Sequence, residues 1–122
     1  MDAESIKELF AEFGLVSVRR MFGGAGVFAD GIMIALVSDG VIYLKADGGT
    51  IPAFEREGQG PFTYATKAGA RSLPSYWRMP DRLYDDTAEL AVWARAAHAC
   101  ARRAATSPAK PPRRAAASKK RR

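Results

Sequence analysis

The segment from Val16 to Lys45, VSVRRMFGGAGVFADGIMIALVSDGVIYLK, constrains the fold more than any other part of the sequence. Asp-Gly occurs in it twice, at Asp30-Gly31 and Asp39-Gly40, each time between apolar runs. This dipeptide favours a type I′ turn, because both central residues of such a turn need positive φ. The glycines of the GGAG sequence interrupt the segment once more. The pattern predicts an antiparallel meander of four strands, at Val16–Phe22, Gly26–Ala29, Ile32–Ser38 and Val41–Lys45.

Two features of the meander leave alternatives open. The alternation of the first strand breaks at Arg20, which would lie on the same face as the buried valines Val16 and Val18. We therefore expect a bulge near Arg19-Arg20. The alternative is that Arg20 lies at an edge of the sheet or lines a site. The third and fourth strands are almost entirely apolar. The centre of the sheet is therefore either covered on both faces or in contact with a partner on one.

The remaining elements follow from periodicity and capping signals. Apolar residues at helical spacing predict a first helix, which Asp2 caps and Gly14 ends. A short helix follows Thr50, with proline in its first turn, and a last helix begins near Asp86, which has capping-box spacing to Glu89. Pro74 indicates that the last strand is an edge strand or begins late. The predicted bounds are Asp2–Phe13, Thr50–Glu57 and Asp86–Arg103 for helices, and Phe62–Lys67 and Ser72–Arg78 for strands.

Together these elements predict an α+β fold of two layers. An antiparallel sheet of about six strands forms one layer, with helices at both termini and one short middle helix. A chain of 122 residues suits a single domain with one core. We place that domain at residues 1–103 and a separate tail at residues 104–122.

The sequence also resembles a known family. The segment RRMFGGAGVFADGIMIALVSDGVIYLK is similar to the signature of the TfoX/Sxy N-terminal domain family, which runs R-M-F-G-G-x-G, an aromatic residue, D-G, an apolar strand and Y-L-K. Pro61-Phe62-Thr63-Tyr64 and Ser75-Tyr76-Trp77-Arg78-Met79-Pro80 resemble later landmarks of the family. The resemblance covers about Met1 to Arg103 and implies a small α+β domain associated with regulation of natural competence. Competence regulators of this family carry a second, C-terminal domain, in whose place this sequence has a basic tail.

Composition excludes several classes of site. With one cysteine, Cys100, the chain forms no internal disulfide, which suits a reducing compartment. One histidine and one cysteine cannot supply a zinc site of His and Cys ligands. No apolar run reaches the length of a membrane span, and the N-terminus lacks the basic start of a signal peptide. We expect a cytoplasmic protein without a cofactor or metal.

The positive charge is concentrated in the tail. Residues 1–103 hold 12 Lys and Arg against 13 Asp and Glu, whereas residues 104–122 hold seven Lys and Arg and no acid. The tail has no aromatic or branched aliphatic residue, so we expect it to be disordered. Its cations would bind nucleic acid without sequence preference by releasing counterions; the alternative is a solubilising terminus. These cations are Lys110, Arg113, Arg114, Lys119, Lys120, Arg121 and Arg122.

The GGAG loop is the first candidate site within the domain. Backbone amides in a glycine-rich loop can hold an anion, and two arginines precede this one. No Lys-Ser/Thr follows, so the loop is not a P-loop, and it lacks the spacing of a dinucleotide fingerprint. We favour a structural turn over a ligand or partner site. The residues of this candidate loop are Arg19, Arg20, Gly23, Gly24 and Gly26.

Other polar residues give weaker signals. His98 and Cys100 are two residues apart on the last helix and do not share a face, so we expect no catalytic pair. For the acids Asp81, Asp85 and Asp86 we prefer capping and solvation to acid–base chemistry. A set of aromatic residues beside Arg78 could bind single-stranded nucleic acid, although aromatics at strand spacing are usually core residues or cross-strand pairs. That set is Tyr43, Tyr64, Tyr76 and Trp77.

The sequence therefore predicts a non-enzymatic regulatory or interaction domain that resembles the TfoX N-terminal domain. Its tail would add nonspecific affinity for nucleic acid, and its sheet could contact a protein partner. The alternative is a small-molecule or anion-binding module centred on the sequence Arg-Arg-Met-Phe-Gly-Gly-Ala-Gly. The oligomeric state is open.

Overall fold

The first four strands form the antiparallel meander that the Asp-Gly turns predict. The structure, a computed structural model, describes residues 1–21 and 23–106. Both turns have the predicted backbone, with φ of 53° and 78° at Asp30 and Gly31 and of 52° and 74° at Asp39 and Gly40. The strands are β1 (Ser17–Met21), β2 (Gly24–Ala29), β3 (Ile32–Ser38) and β4 (Val41–Lys45).

A second hairpin completes the sheet. It consists of β5 (Pro61–Thr66) and β6 (Gly69–Arg78), and the strand order is β1-β2-β3-β4-β6-β5. The prediction that the strand with Pro74 is an edge strand or begins late was wrong, because β6 lies between β4 and β5 and begins at Gly69. Pro74 lies at an irregularity of the sheet. On the β5 side, the register shifts between the pairs of Trp77 and Leu73, and on the β4 side the last paired residue is Tyr76, so Pro74 has no pairing partner on either strand.

The bulge of the meander lies in a different place from the one predicted. β1 pairs with β2 in continuous register from Ser17 to Met21, so no bulge occurs at Arg19-Arg20. The register shifts instead between β2 and β3, where Val27 faces Ala35 and Phe28 faces Met33. Arg20 can share a face with Val18 of β1 without a bulge, because β1 is an edge strand and both of its arginines are exposed.

In the part of the chain that the structure describes, three α-helices and one 3₁₀ helix accompany the sheet. Asp2 accepts a hydrogen bond from the Ser5 amide at 2.8 Å, and Asp86 accepts one from the Glu89 amide at 3.1 Å, so both predicted caps are confirmed. The first helix ends at Leu9, four residues earlier than predicted. The helices are α1 (Ala3–Leu9), α2 (Ile51–Arg56), the 3₁₀ helix (Asp81–Asp85) and α3 (Thr87–Thr106).

The core lies between α3 and the strands β3 and β4. The helix presents small residues to the sheet, which allows its backbone to approach closely, and the sheet supplies the large side chains. Complete burial of each such side chain stabilises the fold by roughly 1.5–3 kcal/mol. Buried residues of the two layers are Ala94, Ala97 and Ala101 on α3, and Ile34, Val37, Ile42 and Leu44 on the strands.

The predicted fold class is confirmed: the sheet has six antiparallel strands, helices lie at both ends of the described chain, and a short helix lies in the middle. The helix α3 continues to Thr106, three residues beyond the predicted domain boundary at Arg103. Residues 107–122, which contain all seven cations of the tail, lie outside the described residues.

Candidate functional site

The sheet has one covered face and one open face. Side chains alternate between the faces of a strand, so the pairs Ala35–Leu44 and Val37–Ile42 face α3, and all four residues are buried. The pair between them, Leu36 and Tyr43, points to the other side and is only half-buried. In the described part of the chain, no helix covers that second side of β3 and β4. We call it the open face.

The hairpin of β5 and β6 turns the open face into a cleft. The ring centre of Phe62 on β5 lies 4.8 Å from that of Tyr43 on β4, which holds the hairpin against the sheet. Beyond this contact the hairpin extends with exposed residues on both strands. The cleft has a volume of about 480 Å³ and is largely apolar. Its side chains are those of Met21, Met33, Leu36, Phe62, Tyr64 and Leu73.

The charged residues of the sheet are all basic. No Asp or Glu occurs in any of the six strands. The register places Arg19, Arg71 and Arg78 on the open face, because their partners Gly26, Tyr64 and Tyr43 lie there. Among the residues that the structure describes, Arg19 and Arg71 form no ion pair. The open face therefore combines an apolar cleft with a basic margin.

The glycines of the GGAG sequence have structural reasons in this arrangement. A Cβ on Gly24 would lie 2.1 Å from the carbonyl oxygen of Val37, and Gly23 has a φ of 76°. A Cβ on Gly26 would lie 2.8 Å from the sulfur of Met33 and 3.0 Å from methyl and ring carbons of Met21 and Phe28. Gly24 and Gly26 belong to strand β2 and have neighbouring atoms where a side chain would lie. This favours a structural role for the glycines over a role in binding an anion.

The two arginines of the candidate loop are separated by the sheet. Arg19 pairs with Gly26 on the open face, whereas Arg20 pairs with Ala25, a buried residue of the covered face. Successive residues of a strand point to opposite faces, so the two guanidinium groups do not converge on one anion at this loop.

The candidate aromatic set is also divided between the faces. Tyr43 and Tyr64 lie on the open face beside the cleft, and Tyr64 is 43% exposed. Trp77 is buried in the core, with its ring centre 6.1 Å from that of Phe54. Tyr76 is buried under the side chain of Lys45, whose Nζ lies 5.0 Å from the ring centre. Arg78 pairs with Asp81 at 3.5 Å.

His98 and Cys100 lie on different sides of α3, as the sequence predicts. The Nε2 atom of His98 lies 3.1 Å from the carboxylate of Asp30, and its ring contacts Phe13 edge to face. The Sγ atom of Cys100 instead lies 3.6 Å from the hydroxyl of Thr50, and burial raises the pKa of its thiol. The thiol is therefore protonated at neutral pH, which is unfavourable for a nucleophile.

The acidic residues near α3 serve as caps and ion-pair partners. Arg82 of the 3₁₀ helix donates to Glu57 and to Glu89, with an N–O distance of 2.7 Å in each pair. Asp47 pairs with Arg103 at 2.7 Å and also accepts from the Gly49 amide. In residues 1–21 and 23–106, no group of three His, Cys, Asp or Glu side chains is placed to hold a metal ion. None of the helices in this part of the chain is both long and apolar enough to cross a membrane.

Sequence reasoning missed the apolar residues of the cleft. The signal that could have identified them was the apolar composition of the third strand together with the number of long helices. Among the helices of residues 1–21 and 23–106, only α3 spans more than two turns, and one helix of 20 residues cannot cover both faces of a six-stranded sheet. The open face follows from that comparison.

Comparison with known proteins agrees with this architecture. The family model for the TfoX N-terminal domain matches residues 8–101, a range that begins within α1 and ends within α3. No curated protein matches the chain. The matched range includes all six strands and the whole cleft. The chain therefore belongs to the TfoX N-terminal domain family.

Proposed function

We propose that this protein is a non-enzymatic regulatory domain that acts by binding a protein partner through the open face of its sheet. Membership of the TfoX N-terminal domain family supports a regulatory role of the kind associated with natural competence. The observation that carries the proposal is the cleft of about 480 Å³ on the open face. Contiguous apolar surface of this kind, bordered by polar residues, marks interaction sites in soluble domains.

The arrangement of the polar groups supports binding rather than catalysis. Arginine partners engage the acids Asp47, Glu57 and Glu89, and the hydrogen bonds lower the pKa of each carboxyl. A general acid or base at neutral pH needs the opposite shift, towards pH 7. These groups lie around α2 and α3, on the covered side of the sheet, and not in the cleft.

Complementation in cells tests this function. We expect that removal of the gene changes the levels of specific transcripts and that the wild-type protein restores them. Leu36→Asp, which places a charge in the cleft, should not restore them. Val92→Asp is the matched control, because Val92 is 55% exposed on α3, away from the open face. Full restoration by a folded Leu36→Asp protein would contradict the proposal.

The basic tail supports a second activity, nonspecific binding of nucleic acid. Residues 104–122 contain seven cations and no acid, and log K for duplex DNA should fall with log salt at a slope of about −6 if all seven engage. Fluorescence anisotropy of a labelled duplex across a salt series measures this slope. A full-length variant with the seven tail cations changed to glutamine should lose the binding. Undiminished binding by that variant would assign the affinity to the domain instead.

A further inference from the structure

We propose that the partner segment bound by the open face is an amphipathic helix with acidic residues beside its apolar stripe. This inference rests on the proposed function and specifies its partner.

The cleft has the lining of a surface that receives apolar side chains. Its volume of about 480 Å³ falls in the range of binding pockets, roughly 300–1,000 Å³. Met21 on β1 lies on one side and Phe62 and Leu73 of the β5–β6 hairpin lie on the other, with Met33 and Leu36 on β3 between them. Methionine side chains adapt their shape to a ligand, which suits a groove for the apolar stripe of a helix.

The basic residues at the margin of the cleft indicate which charge the partner carries. Arg19, Arg71 and Arg78 lie on the open face, and strands β1 to β6 contain no acid. Arg78 pairs with Asp81 at 3.5 Å, so the cations available to a partner are Arg19 and Arg71, which form no ion pair with another described residue. The guanidinium carbon of Arg19 lies 4.4 Å from the ring centre of Phe28, which holds one cation beside the apolar surface. Arg71 is exposed on the hairpin opposite Tyr64. These cations are complementary to carboxylates on an amphipathic helix, placed one or four residues from the apolar side chains that enter the cleft.

Two occupants from the same chain fit less well. The tail beyond the described residues carries seven cations and no acid, so it would be repelled by the arginines of the margin. A second copy packed symmetrically on the same face would place two basic margins, each with Arg19 and Arg71, in one interface. Like charges at an interface oppose association.

Single-stranded nucleic acid also fits less well than an acidic helix. Such ligands stack bases on exposed aromatic rings. The rings of Phe62 and Tyr64 stack on each other, with centres 5.9 Å apart and an angle of 20° between the planes. Arg19 covers Phe28. The other large lining side chains are aliphatic or thioether groups, which bind apolar side chains better than bases.

Three designed peptides test the proposal. Each is an 18-residue helix labelled with fluorescein, with leucine and phenylalanine at i, i+3, i+4 and i+7 spacing. The flanking positions are glutamate in the first peptide, glutamine in the second and lysine in the third. Binding to the full-length protein whose seven tail cations are changed to glutamine is measured by anisotropy, so that the tail does not contribute. A labelled oligothymidine is titrated in parallel.

We expect the glutamate peptide to bind about tenfold more tightly than the glutamine peptide, and the lysine peptide to bind least. Leu36→Asp should weaken binding of the glutamate peptide about tenfold or more, since it buries a charge among apolar contacts. Arg71→Glu should weaken it about fivefold, whereas Arg95→Glu, the same change on the exposed side of α3, should leave it unchanged.

Each other outcome overturns the proposal in an identifiable way. Equal binding of the three peptides, sensitive to Leu36→Asp, would leave the protein-binding function standing and remove the acidic specificity. Tighter binding of oligothymidine than of any peptide would assign the open face to nucleic acid. Absence of binding by all four probes would overturn the acidic helix, while the complementation experiment with Leu36→Asp would still decide whether the open face has a regulatory role.

Discussion

The guanidinium carbon of Arg19 lies 4.4 Å from the centre of the Phe28 ring, on the open face of the sheet. The neighbouring residue Arg20 points to the opposite side, because β1 pairs with β2 without a bulge. One arginine of the pair is therefore part of the candidate interaction surface, and the other is an exposed residue at the edge of the sheet.

Removal of each arginine should distinguish these two positions. We expect Arg19→Ala to lower the free energy of unfolding by about 0.5–1 kcal/mol, the contribution of an exposed cation–π contact. Arg20→Ala should change it by less than about 0.5 kcal/mol, as for an ordinary surface substitution. Urea denaturation of both variants measures the difference. Equal effects would show that the contact with Phe28 contributes nothing in solution.

The glycines of β2 should differ in their tolerance of a methyl group. We expect Gly24→Ala to destabilise the fold by about 3 kcal/mol or more, because the new Cβ would lie 2.1 Å from the backbone oxygen of Val37. Gly26→Ala should cost about 1–2 kcal/mol, since its close neighbours are the movable ends of the Met33 and Met21 side chains. Thermal or urea unfolding provides both values.

Gly48→Ala is the control for this series. A Cβ at Gly48 would meet no atom within 4 Å, so we expect little change in stability. If Gly24→Ala proved as stable as this control, the close approach to Val37 would not determine the residue. The glycines of the GGAG loop would then require another explanation, such as the anion-binding site that was the alternative to a structural turn.

The sequence predicted the meander well because its turns are determined locally. Asp30-Gly31 and Asp39-Gly40 need positive φ, and few other dipeptides satisfy this need, so both turns and the strands between them could be located. The bulge could not be located in the same way. The position of the bulge, at Arg19-Arg20 or opposite Val27, depends on packing across three strands. The alternation of apolar and polar residues within one strand contains no information on that packing.

The candidate site was predicted only in outline. The apolar third and fourth strands indicated either two covered faces or one face in contact with a partner, and the local pattern could not choose between them. The contacts that form the cleft, such as Phe62 against Tyr43, join residues 19 positions apart through a hairpin whose curvature no sequence pattern specifies. Pro74 shows the same limit, because its effect depended on an irregularity between β5 and β6.

The ion pairs of Arg82 should make the fold sensitive to acid. Hydrogen bonds from Arg82 lower the pKa of Glu57 and of Glu89 below the ordinary value of 4.5. A carboxyl with a lowered pKa in the folded state stabilises the fold above its unfolded pKa, and this contribution is lost as pH falls through the folded pKa. We therefore expect Arg82→Ala to be less stable than wild type at pH 7, with a difference that shrinks below about pH 4.5.

Urea unfolding at several pH values between 7 and 3 measures that difference. Arg95→Ala serves as the control, since Arg95 is an exposed residue of α3 outside these ion pairs, and its effect should not depend on pH in this range. A difference between wild type and Arg82→Ala that stayed constant from pH 7 to pH 3 would show that the carboxylates of Glu57 and Glu89 do not contribute through Arg82.

The thiol of Cys100 should react slowly in the folded protein. It is 1% exposed, and burial raises its pKa, so both access and the thiolate fraction are low. We expect a disulfide reagent such as DTNB to modify it at a rate that rises steeply with urea and reaches that of an ordinary cysteine in the unfolded chain. Rapid modification in the absence of urea would identify a reactive thiol and contradict the burial of Cys100.

The contact between Phe62 and Tyr43 should control the stability of the hairpin that closes the cleft. Phe62 also stacks on Tyr64, so its removal releases β5 from both neighbours. We expect Phe62→Ala to lower the free energy of unfolding by about 1–2 kcal/mol. The amides of β5 and of the Gly69–Leu73 segment should also exchange with solvent faster, while those of β3 keep their protection.

Hydrogen exchange followed by mass spectrometry resolves these segments. Thr63→Ala is the matched control, because Thr63 lies on the same strand and points to the opposite side, where it is exposed. Equal exchange rates in the two variants would show that the hairpin does not depend on Phe62. Faster exchange confined to the hairpin of Phe62→Ala, together with weaker binding of the glutamate peptide, would instead link the closure of the cleft to its use as an interaction surface.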